Sequence, residues 1–175
     1  MCDQGTTDEL LAVRCQLGDS KAWELLVVRW HPKLWRFISR MLCDRHITED
    51  TLQTAWLRII RSMGGLREPK RLPAWLYSIA RAAVVDQLRG KYKEKLTEQY
   101  DDFSESEESI ATLHALDNFE TALTALHPID REALVLHYIE DLSVADVANV
   151  CGVPVGTVKS RLHRARQTLR NALLN

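Results

Sequence analysis

The chain has 175 residues, of which 46% are hydrophobic and 27% are charged. This length can form one large domain or two small ones, and the hydrophobic fraction excludes a wholly disordered chain. The formal net charge is −1, but it is +4 over residues 1–90, −5 over residues 91–117 and 0 over residues 118–175. Because phosphate responds to the local field, the near-neutral total does not exclude a nucleic-acid-binding protein.

Few features point to catalysis, metal binding or secretion. The four cysteines form no C-x-x-C pair, so neither a zinc site nor a disulfide framework is predicted. No HExxH pair, phosphate-binding loop or nucleophile elbow is present. The start MCDQGTTDEL is polar and acidic, and no apolar run approaches the length of a membrane span. We expect a cytoplasmic protein with reduced thiols that is not an enzyme and has no metal or cofactor.

Three helices are predicted in the first third of the chain. Residues Asp8 to Leu17 form a short one, which Gly18 ends. From Lys21, apolar residues at spacings of three and four predict a long amphipathic helix that Pro32 should bend. Thr48 is expected to cap the third helix, whose inner face would be Leu52, Ala55, Trp56, Ile59, Ile60 and Met63.

The outer face of this third helix surrounds one leucine with polar and charged side chains: Asp50, Gln53, Thr54, Leu57, Arg58 and Arg61. An exposed leucine beside an acid and an amide is consistent with a patch that docks a partner. A single exposed leucine is also ordinary on any protein surface, so the residues alone leave both interpretations open.

A loop punctuated by glycine and proline, MGGLREPKRLP at residues 63–73, holds Arg67, Lys70 and Arg71. Pro73 then opens a helix, with Trp75, Tyr77 and Arg81 near its start and a predicted inner face of Leu76, Ile79, Ala80, Ala83, Val84 and Leu88. Aromatic rings beside cations are what a single-stranded nucleic-acid site requires, since rings stack on bases while cations follow the backbone. The alternative is that Trp75 and Tyr77 belong to the core and its rim.

The middle of the chain predicts a linker. Residues 91–112 lack apolar periodicity and become acidic, which is typical of a flexible tether. It would separate a domain at residues 8–90 from a second at residues 113–174. Further helices are expected around Ala115–Leu126 and from Asp130 to about Glu140. No segment alternates like a strand, so the predicted fold is all-α, with two small helical domains.

The run from Leu142 to Leu174 predicts two helices joined by a tight turn. Ser143 can cap the first, Gly152 permits the chain reversal, and Pro154 suits the start of the second. The inner face of the second helix would be Val158, Leu162, Ala165, Leu169 and Leu173, and its outer face carries Thr157, Ser160, Arg161 and Arg164. Residues 155–175 include five Lys or Arg and no acid. This pattern is typical of a helix-turn-helix that reads the major groove; the alternative is a plain helical hairpin with a basic face.

In this order and spacing, the segments resemble bacterial RNA polymerase sigma factors, and among them the small extracytoplasmic-function (ECF) group. Four stretches carry the resemblance. They are ELLAVRCQLGDSKAWELLVVRWHPKLWRFISRML, EDTLQTAWLRII, LPAWLYSIARAAVVDQLRG and LSVADVANVCGVPVGTVKSRLHRARQTLRNAL. The first three are similar to region 2 of these factors, and the last is similar to the helix-turn-helix of region 4. The run GVPVGTVKSRLHRAR is especially typical of the group.

The resemblance implies roles for particular residues. Docking on the clamp helices of core RNA polymerase would use Asp50, Gln53, Thr54 and Leu57. Melted promoter DNA, with one base flipped out, would be held by Arg67, Lys70, Arg71, Trp75, Tyr77 and Arg81. The upstream promoter element would be read by Val155, Thr157, Lys159, Ser160, Arg161 and Arg164. The acidic linker would lie in the basic channel of the polymerase, and an anti-sigma protein is a further candidate partner.

The sequence also departs from the family pattern. Thr54 stands where an acid is usual, and Ser78 and Ala82 stand where Arg and Asn are common. The implied function is promoter-specific transcription initiation with DNA melting. Two other functions remain open at this point: a stand-alone helix-turn-helix regulator, and a degenerate sigma factor that titrates polymerase without starting transcription.

Overall fold

Helices account for nearly all of the chain that a computed structural model describes, which is residues 7–97 and 116–174, and no strand occurs in these ranges. The first group of helices, called the N-terminal group here, consists of α1 (Asp8–Gln16), α2 (Ser20–Leu42), α3 (Arg45–Ser62) and α4 (Leu72–Thr97). The C-terminal group consists of α5 (Leu116–Thr124), α6 (Pro128–Leu134), α7 (Val144–Cys151) and α8 (Val155–Leu174). The all-α prediction is confirmed.

Side-chain caps fix the starts of the first three helices. The hydroxyl of Thr7 accepts the Leu10 N–H at α1, and the carboxylate of Asp19 accepts two N–H groups at α2. At α3 the cap is Asp44, which accepts the Ile47 N–H at 3.0 Å. The prediction that Thr48 caps α3 is therefore wrong: Thr48 lies one turn inside the helix, buried, with its hydroxyl donating to the Asp44 carbonyl.

The core of the N-terminal group is formed by one face from each of α2, α3 and α4. Its α2 contribution is Ala22, Leu26, Trp30, Leu34, Phe37 and Ile38. α2 is continuous through Pro32. Two predicted core residues lie outside the core. Ile60, the residue after buried Ile59, is on the solvent side of α3 and is 55% exposed. Leu88 follows Val84, where the buried stripe of α4 ends, and is 45% exposed. The inner faces are otherwise as the 3.6-residue period predicts.

The first part of the predicted linker is helical. α4 runs on to Thr97, so residues 91–97 continue the helix instead of forming a tether. The remainder of the predicted linker, residues 98–112, lies outside the described residues. The sequence signal failed here because acidic and basic residues without an apolar stripe are compatible with a solvated helix as well as with coil.

The C-terminal group has the predicted helix-turn-helix. Ser143 caps α7 through its hydroxyl, which accepts the Asp146 N–H at 3.1 Å, and Gly152 ends α7 in the left-handed conformation at φ 65°. α8 buries Val158, Leu162, Ala165 and Leu169, as predicted. Before α7, a π-helical turn at Val135–Ile139 follows α6.

The two groups pack against each other. α4 contacts α7, α2 contacts α6, and the buried apolar residues of both groups form one continuous cluster. In this structure the two predicted domains are therefore in direct contact. Among the described helices, none is both long enough and apolar enough to cross a bilayer.

Two glycines of the helix-turn-helix should respond to alanine in opposite directions. A Cβ at Gly152 or Gly156 would meet no atom within 4 Å, so only backbone conformation distinguishes them. Gly152→Ala should lower the free energy of unfolding by about 1–2 kcal/mol, because an alanine is strained in the left-handed conformation. Gly156→Ala, inside α8, should raise it by roughly 0.5 kcal/mol. Urea unfolding followed by circular dichroism measures both; shifts of the same sign would contradict this backbone assignment.

Candidate nucleic-acid interface

The exposed face of α8 carries part of the predicted duplex-reading set. Thr157, Lys159 and Ser160 are exposed, and Val155 at the start of the helix is 42% exposed. The Ser160 hydroxyl donates to the Gly156 carbonyl at 3.0 Å, so it is already partly engaged by its own helix. The tight turn at Gly152 joins α7 to α8, and the two helices pack on each other, as in a helix-turn-helix that presents its second helix to a groove.

Arg164 is paired within the C-terminal group. Its Nη2 and Nε donate to the two carboxylate oxygens of Asp130 on α6, at 2.7 Å and 3.0 Å. Asp130 is buried, whereas half of the Arg164 side chain is exposed. The hydrogen bonds and charge of Asp130 raise the pKa of Arg164. Arg164 is thus held in one orientation at the edge of the predicted interface.

Arg161 is placed differently from the prediction. The helical period puts it on the outer face, but the residue is half-buried and its Nη1 is enclosed without a hydrogen-bond partner. Its charge acts on the thiol of Cys151, at the end of α7. Arg161 therefore does not share the open surface of Lys159 in this structure.

The basic loop between α3 and α4 opens on a cavity. Arg67, Lys70 and Arg71 are exposed and Trp75 is half-buried. The cavity is about 360 Å³ and has on one side Arg67, Arg71, Trp75 and Ser78, and on the other Asn149 and Val150 of α7. Gln16 braces the loop, since its side-chain amide donates to the carbonyls of Met63 at 3.1 Å and Leu66 at 2.7 Å. No sequence pattern indicated this role for Gln16.

Tyr77 does not belong to the open surface. It is 1% exposed, and its ring packs edge-on against Trp30 and Phe37, with centroids 5.8 Å and 5.4 Å away. Its hydroxyl donates to the carboxylate of Glu140, in the C-terminal group. Burial first, and then the hydrogen bond and charge of Glu140, raise the pKa of Tyr77. The prediction that Tyr77 stacks on a base is not met in this structure, because the ring is a core group.

Charged residues join the two helix groups, and we call this contact the seam. Arg81 of α4 donates to Glu132 of α6 at 2.8 Å. The remaining seam ion pairs among the described residues are Arg40 with Glu120 at 2.7 Å, Arg40 with Glu140 at 3.9 Å, and Arg71 with Asp146 at 3.8 Å. Two cations of the predicted single-strand site, Arg71 and Arg81, are therefore seam residues. Arg131 adds a bond from its Nη1 to the Arg40 carbonyl at 3.0 Å.

A second surface lies on α3. Asp50, Gln53, Thr54 and Leu57 are all exposed, as predicted, and Leu57 is 48% exposed. The Thr54 hydroxyl donates to the Asp50 carbonyl at 3.0 Å, so its one proton is engaged while its oxygen can still accept. Ile60 extends the apolar part of this face, which the prediction had assigned to the core. In the parts of the chain that the structure describes, no cluster of His, Cys, Asp or Glu could hold a metal ion.

Comparisons with known proteins agree with both groups. The family model for sigma-70 region 2 matches residues 26–94, and the model for sigma-70 region 4 matches residues 116–169. The RNA polymerase sigma-H factor of Pseudomonas aeruginosa is 32% identical, over 95% of this chain and 93% of that protein. The ECF RNA polymerase sigma-E factor of Escherichia coli is 30% identical, over 94% of this chain and 93% of that protein.

Solved structures show the same fold. The sigma factor RpoE from Bartonella quintana, in complex with the anti-sigma factor NepR, has a TM-score of 0.74 and 26% identity, covering 87% of this chain and 97% of that chain. CnrH, in complex with the cytosolic domain of CnrY, has a TM-score of 0.71 and covers 95% of this chain and 96% of that chain. At 24% identity, the second likeness concerns the fold alone.

Thiol alkylation should separate the three described cysteines. Burial, with the charge and hydrogen bond of Glu132, raises the pKa of the Cys151 thiol to about 12. Burial, with the charge of Asp19, raises that of Cys15 to about 11. Since the thiolate reacts, raised pKa values leave little reactive form at about pH 8, and exposed Cys43 should be alkylated first. Peptide mass spectrometry after iodoacetamide treatment measures this order, with urea-unfolded protein as the control. Equal native rates at Cys43 and Cys151 would contradict the burial of Cys151.

Proposed function

This chain belongs to the ECF family of RNA polymerase sigma factors, and we propose that it binds core RNA polymerase, directs it to a two-part promoter and assists strand separation. As a sigma factor it acts in transcription initiation. In our proposal, residues 8–90 dock on polymerase and hold the melted element, while residues 113–174 read the upstream element. The polymerase carries out the chemistry.

The observation that carries the proposal is the outer face of α3. Leu57 and Ile60 lie one turn apart on a helix whose opposite face is already buried, and they are 48% and 55% exposed. Together with Gln53 and Asp50 they form an apolar patch with polar neighbours, the composition expected of a protein-binding surface. A polymerase subunit needs such a surface for docking, whereas a helix-turn-helix regulator could use it only to form a dimer.

Duplex recognition is assigned to α8. Thr157 and Ser160 are short side chains suited to base edges, and Lys159 beside them is suited to phosphate. Arg164, whose guanidinium is held in one orientation by Asp130, would add a further contact to DNA at the edge of this face. Arg161 would join the interface only after a change in its surroundings, because its guanidinium is half-buried in this structure.

The single-strand site is assigned to the loop between α3 and α4 and to the start of α4. Trp75 offers a ring for stacking, and Arg67, Lys70 and Arg71 offer charge along the backbone. The adjacent cavity of about 360 Å³ has room for a base that leaves the helix stack. Stacking offsets part of the free energy lost when the base pair opens.

A further partner is an anti-sigma protein. The similar RpoE from Bartonella quintana was solved in complex with the anti-sigma factor NepR. A protein of that class, binding across both helix groups, would compete with polymerase for the α3 face. Co-purification of this chain with such a protein would identify it.

Removing the apolar patch should weaken polymerase docking. We expect the double substitution Leu57→Ala with Ile60→Ala to weaken core polymerase binding by at least about tenfold, since central apolar contacts dominate protein interfaces. Val28→Ala is the matched control, because Val28 is 75% exposed on α2 outside the patch. Pull-down with purified core measures binding, and run-off transcription tests function. If the wild-type protein binds core polymerase but gives no run-off transcript, a degenerate sigma factor is favoured. If it binds duplex DNA but not core polymerase, a stand-alone regulator is favoured.

Trp75→Ala should leave polymerase binding unchanged and slow the opening of promoter DNA. Loss of one stacked base typically costs about 1–3 kcal/mol, so open-complex formation should fall by roughly tenfold or more. Trp35→Ala on α2 provides a control of the same size, since Trp35 is partly exposed and does not line the cavity. Permanganate footprinting of unpaired thymines on holoenzyme–promoter complexes reports the result. Identical footprints for the wild type and Trp75→Ala would remove Trp75 from the site.

A further inference from the structure

One exposed stripe of α8 runs through Thr157, Ser160 and Arg164. These residues are three and four positions apart, so they lie one above the other on the same side of the helix, and all three are exposed. The opposite side of α8 is buried in the C-terminal group. Arg164 therefore continues, by one turn, the face whose short side chains are assigned to base edges.

Asp130 holds the Arg164 guanidinium by one of its edges. The carboxylate accepts from Nε at 3.0 Å and from Nη2 at 2.7 Å, which is the parallel two-bond geometry of an arginine–carboxylate pair. The Asp130 side chain is 10% exposed and lies on α6, which packs against α8, whereas the Arg164 side chain is 52% exposed. The carboxylate thus belongs to the buried part of the C-terminal group, and the guanidinium extends from it to the surface.

This pairing leaves the other edge of the guanidinium available. A guanidinium has five N–H groups, and Asp130 takes the one on Nε and one of the two on Nη2. The remaining N–H groups are the two on Nη1 and the second on Nη2, and within residues 7–97 and 116–174 they make no further hydrogen bond. Nη1 and Nη2 together form the end of the fork, which can donate two parallel hydrogen bonds to one pair of acceptors.

Two kinds of acceptor on duplex DNA could meet this edge, namely a phosphate and a base. Among the major-groove edges of the four bases, only guanine presents two acceptors and no donor, O6 and N7, and the fork of an arginine matches them. The charge of Asp130 reduces the attraction of Arg164 for a phosphate, whereas a guanine carries no net charge for the carboxylate to repel. Geometry and charge therefore both favour guanine.

We propose that Asp130 is a positioning residue for promoter recognition, which holds Arg164 so that its Nη1 and Nη2 read one guanine in the major groove of the upstream element. This inference rests on the assignment of α8 to that element under Proposed function, and it adds the base that one side chain recognises and the residue that orients this side chain. Asp130 itself does not touch DNA. Because Arg164 is ordered before it binds, less side-chain entropy is lost when the contact forms.

An ion pair that only joined α6 to α8 would have a different effect. The two helices already share buried apolar packing, with Leu134 on α6 and Leu162 and Ala165 on α8 in the same cluster. Loss of a purely structural pair would lower affinity for every DNA sequence alike. Loss of a positioning pair changes the preference at the one base pair that the positioned side chain reads, so the two roles can be separated by measuring base preference.

The test uses holoenzyme assembled from purified core polymerase and the full-length chain. Asp130→Asn keeps the shape of the side chain but offers one acceptor oxygen where the fork needs two, and Arg164→Lys keeps the charge but removes the fork. Asp141→Asn is the control, because it removes the same charge from an exposed residue, and asparagine tolerates the left-handed conformation at φ 56°. Circular dichroism confirms that each variant is folded.

Selection from promoter duplexes with a randomised upstream element, followed by sequencing, gives the base preference at each position. In Asp130→Asn and in Arg164→Lys we expect discrimination for guanine to fall by about tenfold at one and the same base pair, which is the size of one bidentate contact, with the other positions unchanged. The double substitution should lose no more than either single one, because both act through one contact. On duplex without the element, Asp130→Asn should bind at least as tightly as Asp141→Asn, since the released Arg164 can meet a phosphate.

Two outcomes overturn the inference. If Asp130→Asn or Arg164→Lys keeps the wild-type preference at every position, Asp130 does not orient a base-reading group. If Asp130→Asn loses affinity equally for selected and unrelated duplexes, the pair is structural. In both cases the wild-type holoenzyme still selects an upstream sequence, so the proposed function stands. A wild-type holoenzyme that selects no upstream sequence would instead overturn the assignment of α8 under Proposed function, and this inference with it.

Discussion

The contact between Arg81 and Glu132 is a largely buried polar link between the two helix groups. A carboxylate that is almost fully buried needs a partner charge, and Glu132 has one across the seam in Arg81 and a second hydrogen bond from Cys151 within its own group. Beside it, Tyr77 links the two cores, because its ring packs on Trp30 and Phe37 while its hydroxyl bonds Glu140. Polar contacts and the continuous apolar cluster therefore hold the two groups together.

α3 and α8 each pack one face into the core and leave the other face exposed. α3 buries Leu52, Ala55 and Ile59 and leaves Leu57 and Ile60 outside. α8 buries Val158, Leu162 and Ala165 and leaves Lys159 and Ser160 outside. Since the buried faces are already satisfied, substitutions on the outer faces can change binding without changing the fold. α4 is the exception, because Arg81 lies in the seam and Tyr77 in the core.

Local sequence patterns predicted the helices, but they could not predict polar contacts between residues that are far apart in the chain. The 3.6-residue period placed the inner faces of α2 and α8, and Ser143 with Gly152 located the helix-turn-helix. Asp44 was missed as a cap because no apolar periodicity begins beside it. Tyr77 and Arg81 were assigned from composition to a nucleic-acid face, but their partners are Glu140 and Glu132, more than fifty residues away. Nothing in a single sequence indicates such pairings, and the α3 and α8 assignments remain predictions about binding.

The two departures from the family pattern in α4 bear on the charge of the proposed single-strand site. Ser78 lines the cavity, but its hydroxyl donates to the Trp75 carbonyl at 2.7 Å, and Ala82 is exposed without a polar group. The cations left to the site are Arg67, Lys70, Arg71 and Arg81. Two of these, Arg71 and Arg81, are paired with carboxylates of the seam, whereas an arginine at position 78 would have added a further cation. Because single-strand affinity depends steeply on the number of cations that meet the backbone, we expect Ser78 and Ala82 to weaken the proposed site relative to the family pattern.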